Sequence, residues 1–284
     1  MSSSKNPLWK KYSCTITSKE AAMTVFRYEW KKNFRYIICW TLAVGVLILC
    51  MIPAYYGALD SVGSLSKIYE NSEFYDSLGM TADLFQEPLG MYAFLNVFFS
   101  MAIGIFGMYL GMSLYTKECT GGTAEYLMTK PIGRMQIFRE KNLCMLGGIM
   151  LAGAAYVLSS YTTLSLMGIE CSERFLPVAL SFVLIALFFG VLGVWVGVYK
   201  PAIQSPLVVA GLTVFTAYCL TSFSRIAGVP LIDFLSPFSF FEVGYIFSEG
   251  FYPPAYLVWY VLFVAVLYLS AAIRFKSKDV TFTV

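Results

Sequence analysis

The sequence predicts an all-α integral membrane protein with six transmembrane helices, and three observations predict it. The first is composition: 58% of the 284 residues are apolar and only 13% are charged, against roughly 25% charged in a soluble domain. The second is length. Six apolar runs, at about 36–58, 89–115, 143–169, 175–199, 205–222 and 255–273, approach or exceed the roughly 20 residues that cross a bilayer as a helix. Strand-type alternation is absent, and a helix satisfies its own backbone in lipid. The third is charge placement. Seventeen Lys/Arg fall in 1–35, 116–142, at position 200 and in 274–284, whereas Lys67, Arg174 and Arg225 are alone on the other side. Basic residues mark the inner face, so both termini and the 116–142 loop are expected in the cytoplasm of a plasma-membrane protein. The net charge of +3 reports topology, not nucleic-acid binding.

Taken in order, residues 1–19 read as a flexible cytoplasmic head. Residues 1–22 lack the apolar core of a signal peptide, so the first span is expected to direct insertion. Met23 offers a second start, which would make residues 1–22 dispensable. Thr17 and Glu20 have capping-box spacing, and Met23, Phe26, Trp30 and Phe34 recur at helical intervals within an arc of about 80°. Arg27, Lys31, Lys32 and Arg35 lie opposite, and Val25 is the one misfit. Two readings stand side by side: a basic juxtamembrane anchor with its aromatic residues in the acyl boundary, and an elbow helix packed against neighbouring spans.

The spans themselves carry no Asp, Glu, Lys, Arg or His except at their ends. An ion-coupled carrier needs ionisable groups within the membrane, and an intramembrane hydrolase needs a base beside its nucleophile. Asn96 reads as a helix–helix hydrogen bond. Gly104, Gly107 and Gly111, and Gly190, Gly193 and Gly197, read as close-packing faces, with a translocation path as the alternative. The seven Cys are scattered without a CxxC pair and there is no His, which leaves no zinc, haem or disulfide framework.

The 116–142 loop, TKECTGGTAEYLMTKPIGRMQIFREKN, is the most informative stretch. Gly121 and Gly122 end a helix. Thr123 can cap a short helix over Ala124–Met128, Pro131 and Gly133 stop it, and a further helix starts near Arg134. Such stiff turns across the mouth of two spans suit docking into another protein. Before the last span, Asp233 to Pro254 is too apolar for a solvated loop and too broken to cross. Pro237 can open a short helix that dips inward and Gly250 can turn the chain back, which describes a re-entrant segment. The alternative is an aromatic belt anchoring the sixth span.

Taken together, the basic elbow, the six spans, the loop residues Glu118, Gly122, Thr123, Leu127, Pro131, Arg134 and Lys141, and the later Leu235, Ser236, Pro237, Phe238 and Phe240 resemble the permease subunit of a type-2 ABC exporter. The resemblance covers about residues 20–275, a single transmembrane domain followed by a cytoplasmic tail, 276–284. Gly133 departs from it, standing where the family often has Ser or Thr. The resemblance implies a non-catalytic subunit paired with a second permease, as homodimer or paralogous heterodimer, and with a separate ABC ATPase. ATP and Mg would bind that partner, and this chain has no GxxxxGK[ST] loop. Glu118, Gly122, Thr123, Glu125, Tyr126, Leu127 and Arg134 would form the coupling contact, Phe26, Trp30 and Phe34 the elbow, and Pro237, Phe238, Phe240 and Phe241 an outer gate. Charge-free, aromatic spans favour an amphipathic cargo over a sugar. Exporters of peptide toxins (phenol-soluble modulins) and of antimicrobial peptides are the best match. Drugs, lipids or ions moved by the same architecture are the alternative, then an ATPase-independent channel or scaffold.

Overall fold

A computed structural model describes residues 7–61, 88–122 and 133–277. Thr123, Glu125, Tyr126, Leu127 and Pro131 lie outside the described residues, as do 1–6 and 278–284. Six long helices carry the architecture: α1 (Pro7–Ser61), α2 (Pro88–Thr120), α3 (Arg134–Leu166), α4 (Phe175–Tyr199), α5 (Pro206–Ala227) and, last in the chain, α9 (Pro254–Ser277). Each contains a stretch apolar and long enough to span a membrane. Between α5 and α9 lie three short helices, α6 (Pro230–Asp233), α7 (Pro237–Phe240) and α8 (Val243–Glu249). No strand occurs among the described residues. The six expected spans are therefore present, with α2 and α3 reaching further toward the loop between them than apolarity alone marks.

One expectation at the start of the chain is corrected. Residues 7–19 belong to α1, and the elbow is not a separate helix but runs without interruption into the first span. The physical reason is plain in the sequence: no Gly or Pro occurs between Pro7 and Gly45 to end the helix. At 1.5 Å per residue, α1 is about 80 Å long, well over twice the hydrocarbon thickness. Much of it must therefore extend beyond the lipid core.

The centre of the molecule is the contact of α2 with α4. An ideal Cβ on Gly107 would lie 2.4 Å from the Ala186 carbonyl oxygen, on Gly111 2.2 Å from that of Gly190, and on Gly193 2.2 Å from that of Met108. The two backbones touch because nothing stands between them, which is the close approach that small residues permit between membrane helices. The glycine rows thus serve packing. Asn96, fully buried on α2, donates to Ser181 Oγ (2.9 Å) and the Val178 carbonyl (3.2 Å) of α4 and accepts from the Tyr156 hydroxyl of α3 (2.5 Å). This is the interhelical hydrogen bonding expected of it. The faces of α1, α5 and α9 turned away from this centre are apolar and exposed, with Leu42, Val46, Leu212, Phe215, Val266 and Ile273 among them.

The segment before α9 folds back onto the bundle. Ser236 N-caps α7, accepting from Phe238 N–H (3.4 Å) while donating to the Ala217 carbonyl of α5 (2.8 Å). Gly250, at φ +75°, ends α8 in the left-handed conformation, one that glycine adopts without strain.

Candidate functional site: a buried ion cluster at the base of the loop

Four ionisable side chains from three helices meet where α2 and α3 run into the 121–133 loop. Lys117 and Glu118 occupy the last turn of α2, Lys141 lies two turns into α3, and Glu29 comes from α1. The Lys117 ammonium pairs with Glu29 Oε2. Lys141 Nζ donates to Glu29 Oε1 (2.8 Å), to Glu118 Oε1 (2.6 Å) and to the Leu114 carbonyl (2.5 Å), which uses all three of its hydrogens. Charges alternate along the row Lys117, Glu29, Lys141, Glu118 and cancel. Glu29 and Lys141 are each 1% exposed.

Burying ions is costly unless they are paired and their remaining hydrogen-bonding capacity is used. Here Asn33, one turn along α1, donates to the Glu29 backbone carbonyl (2.8 Å) and is also near Oε2 (3.4 Å). An aromatic layer closes the cluster beneath. Tyr115 accepts from Asn142 (3.0 Å) and its ring packs near Phe138 and Phe275, 5.9 and 5.6 Å between centroids, bringing α9 into the same assembly. The Lys141 ammonium sits 5.6 Å from the Tyr115 ring centre, within cation–π range. The arrangement fixes α1, α2 and α3 to one another at the point where the loop leaves the bundle.

Several expected site residues fall around this cluster. Glu118 is a member. Gly122, at φ +65°, follows the end of α2, and Arg134 is the first residue of α3. Gly133 is the α3 N-cap in extended conformation and supplies no side-chain cap, as its departure from Ser or Thr implied. Phe26 and Trp30 stack at 5.8 Å. Trp30 lies so close to α3 that an ideal Cβ on Gly147 would be 2.9 Å from its ring. Phe34 is 45% exposed. The elbow's buried stripe is instead Val25, Glu29, Asn33 and Ile37, rotated by roughly 80° from the aromatic face at 100° per residue. Two polar residues, Glu29 and Asn33, thus hold the centre of the buried stripe, and Phe34 lies outside it. Glu29 and Lys117 were missed. The signals were Val25, the misfit of the first pattern, and an acid recurring four residues after it among four cations.

At the far end, Pro237, Phe238, Phe240 and Phe241 are all buried. Phe240 packs near Phe188 and Tyr256, Phe238 near Phe189 and Tyr218, and Phe241 near Tyr252 and Tyr260. They fill space between α4, α5 and α9. Phe240→Ala is accordingly expected to cost about 3–5 kcal/mol of stability through the cavity it leaves, seen as a lower Tm of the purified chain. An unchanged Tm with altered transport would instead return Phe240 to a gate surface. Arg225 of α5 pairs with Glu242, the α8 N-cap, at 3.2 Å, tying the folded-back segment to the bundle.

Residues 23–280 match the family described as ABC-2 family transporter protein. The chain belongs to that family. With its six apolar helices it is a multi-pass membrane permease of an ABC exporter, a transport component that works with an ABC ATPase. A search of curated proteins returned no match.

Proposed function

We propose that this ABC-2 permease forms, with a second permease copy, the path of an exporter for amphipathic peptides. Its energy comes from a separate ATPase that grips the 123–132 loop. The observation that carries the reading is the ion cluster. A loop that receives a push is useful only if its base is rigidly joined to the spans, and the row from Lys117 to Glu118 makes that joint. ATP-driven closure of the ATPase pair would move the loop, and α1, α2 and α3 would follow as one body. ATP and Mg belong to the partner subunit, and this chain contributes no catalytic group. At the far end, outer gating is assigned to movement of the α6–α8 segment as a unit, latched by Arg225 and Glu242. The cargo class rests on the sequence. Spans without ionisable groups in their middle and rich in aromatic residues suit an apolar or amphipathic molecule better than a sugar. Drugs, lipids and ions are the other cargoes that this architecture would admit.

The test lies in the loop. Changing Tyr126 and Leu127 together to Ala removes the two apolar side chains best suited to a groove, each worth about 1–3 kcal/mol if buried there. The ATPase is expected to be lost from the purified complex while the permease remains inserted and paired. Stoichiometric ATPase retained by the double variant would sink the proposal.

A further inference from the structure

The ion cluster has a consequence on the opposite face of α1. Between Val25 and Gly57 the helix has a single acid, Glu29, and that acid is turned inward to Lys117 and Lys141. Arg27, Lys31, Lys32 and Arg35 remain outside and exposed. None of Arg27, Lys31 and Arg35 has a carboxylate partner among the described residues. Lys32 lies 5.7 Å from the Tyr28 ring centre. Arg27, Lys31 and Arg35 follow one another at four-residue intervals, so they form a row on one face about 12 Å long. Trp30, Lys31, Lys32, Phe34 and Arg35 line a shallow hollow there. Trp30 forms its wall because it is held against Gly147 of α3. Further along α1 the same face becomes apolar and exposed, through Leu42, Val46 and Leu49. Cations followed by a bare aliphatic track match, group for group, a lipid with an anionic head and acyl tails.

We infer that this face of α1 is a binding site for an anionic phospholipid, its headgroup held by Arg27, Lys31 and Arg35 in the hollow beside Trp30 and its chains laid along Leu42, Val46 and Leu49. A neutral zwitterionic lipid supplies no net counter-charge to the row. Free phosphate supplies the charge but not the apolar contact. Because Glu29 sits within the same two turns, a bound lipid also steadies α1 in the register that the ion cluster requires.

The full chain, purified in detergent, is titrated by native mass spectrometry with phosphatidylglycerol, phosphatidylcholine or inorganic phosphate. Phosphatidylglycerol is expected to bind at least tenfold more tightly than phosphatidylcholine, and phosphate not to compete at equal concentration. Each cation near an anionic surface is worth roughly a fivefold change in binding. Arg27→Gln, Lys31→Gln and Arg35→Gln together should therefore lower phosphatidylglycerol binding on the order of a hundredfold, with phosphatidylcholine unchanged. Lys200→Gln, a basic residue at the end of α4, should change neither. Equal binding of the two lipids by the wild-type chain overturns the site, and that result needs no variant to fold. Displacement by free phosphate, or a triple variant that keeps its preference, overturns it too.

Discussion

Replacing Glu29 with Ala is expected to lower the Tm of the purified permease by on the order of 10 °C. The change leaves Lys117 and Lys141 without the carboxylate between them. An unpaired buried charge costs about 3–5 kcal/mol, and at this chain length each kcal/mol shifts Tm by about 2–4 °C. Lys141→Met should do comparable damage, since it strips both Glu29 and Glu118 of their buried partner. The informative variant is the pair. Glu29→Leu with Lys141→Met removes both deeply buried charges at once, and apolar replacement of a buried ion pair is often neutral for stability. Its Tm should recover most of what either single change loses, a non-additivity that marks residues acting through one another. Coupling should not recover, because the tie between α1 and the loop base is gone. A double variant that regained both stability and ATP-driven export would reduce the cluster to packing. Additive losses would show that Glu29 and Lys141 do not act on each other.

Gly111→Leu is expected to prevent α2 and α4 from docking. Even the first carbon of a side chain at Gly111 would stand 2.2 Å from the Gly190 carbonyl oxygen, a backbone atom that no rotamer change can move. Gly111→Ala should already cost about 1–3 kcal/mol by forcing the helices apart, and Leu should abolish the folded permease. Gly45→Ala and Gly211→Ala are matched controls: both glycines are helical with nothing within 4 Å of an added Cβ. There Ala should be neutral or stabilising by about 0.5–1 kcal/mol, since it restricts the unfolded chain. Thermal unfolding of the four variants checks the contrast. Equal behaviour at positions 45 and 111 would contradict the α2–α4 contact.

The six helices were legible because a bilayer imposes a length on any apolar run, and length is readable in a single sequence. The glycine rows were legible for a related reason, since their spacing repeats at helical intervals on both helices. What apolarity could not mark was the extension of α2 to Thr120 and of α3 back to Arg134. The turn signals at Gly121, Gly122 and Arg134 did mark it, and those turns hold Lys117, Glu118 and Lys141; what could not be read is which charge each of them meets. The partner Glu29 is 112 residues from Lys141 in sequence, and no local pattern links them. Even so, Val25 pointed the way. It fitted the apolar arc poorly because the stripe that docks runs through Val25 and Ile37 with Glu29 and Asn33 between them, and an amphipathic count treats those two polar residues as solvent-facing. Phe238, Phe240 and Phe241 were legible as an apolar cluster, but not the rings they pack against, because those come from α4, α5 and α9. The uninterrupted start of α1 was readable in the absence of Gly and Pro between Pro7 and Gly45.

On the proposed function, an ATPase acts on this permease through the 123–132 loop. Placing a photo-crosslinking p-benzoylphenylalanine at Tyr126 in the full chain, in cells, and irradiating them tests it most directly, because the probe reports what touches that position without disturbing the bundle. One dominant adduct is expected, a protein that carries a nucleotide-binding P-loop, formed from position 126 and not from Gly211 on α5. An adduct confined to lipid or to the permease itself, or a dominant partner without a nucleotide-binding loop, would contradict it.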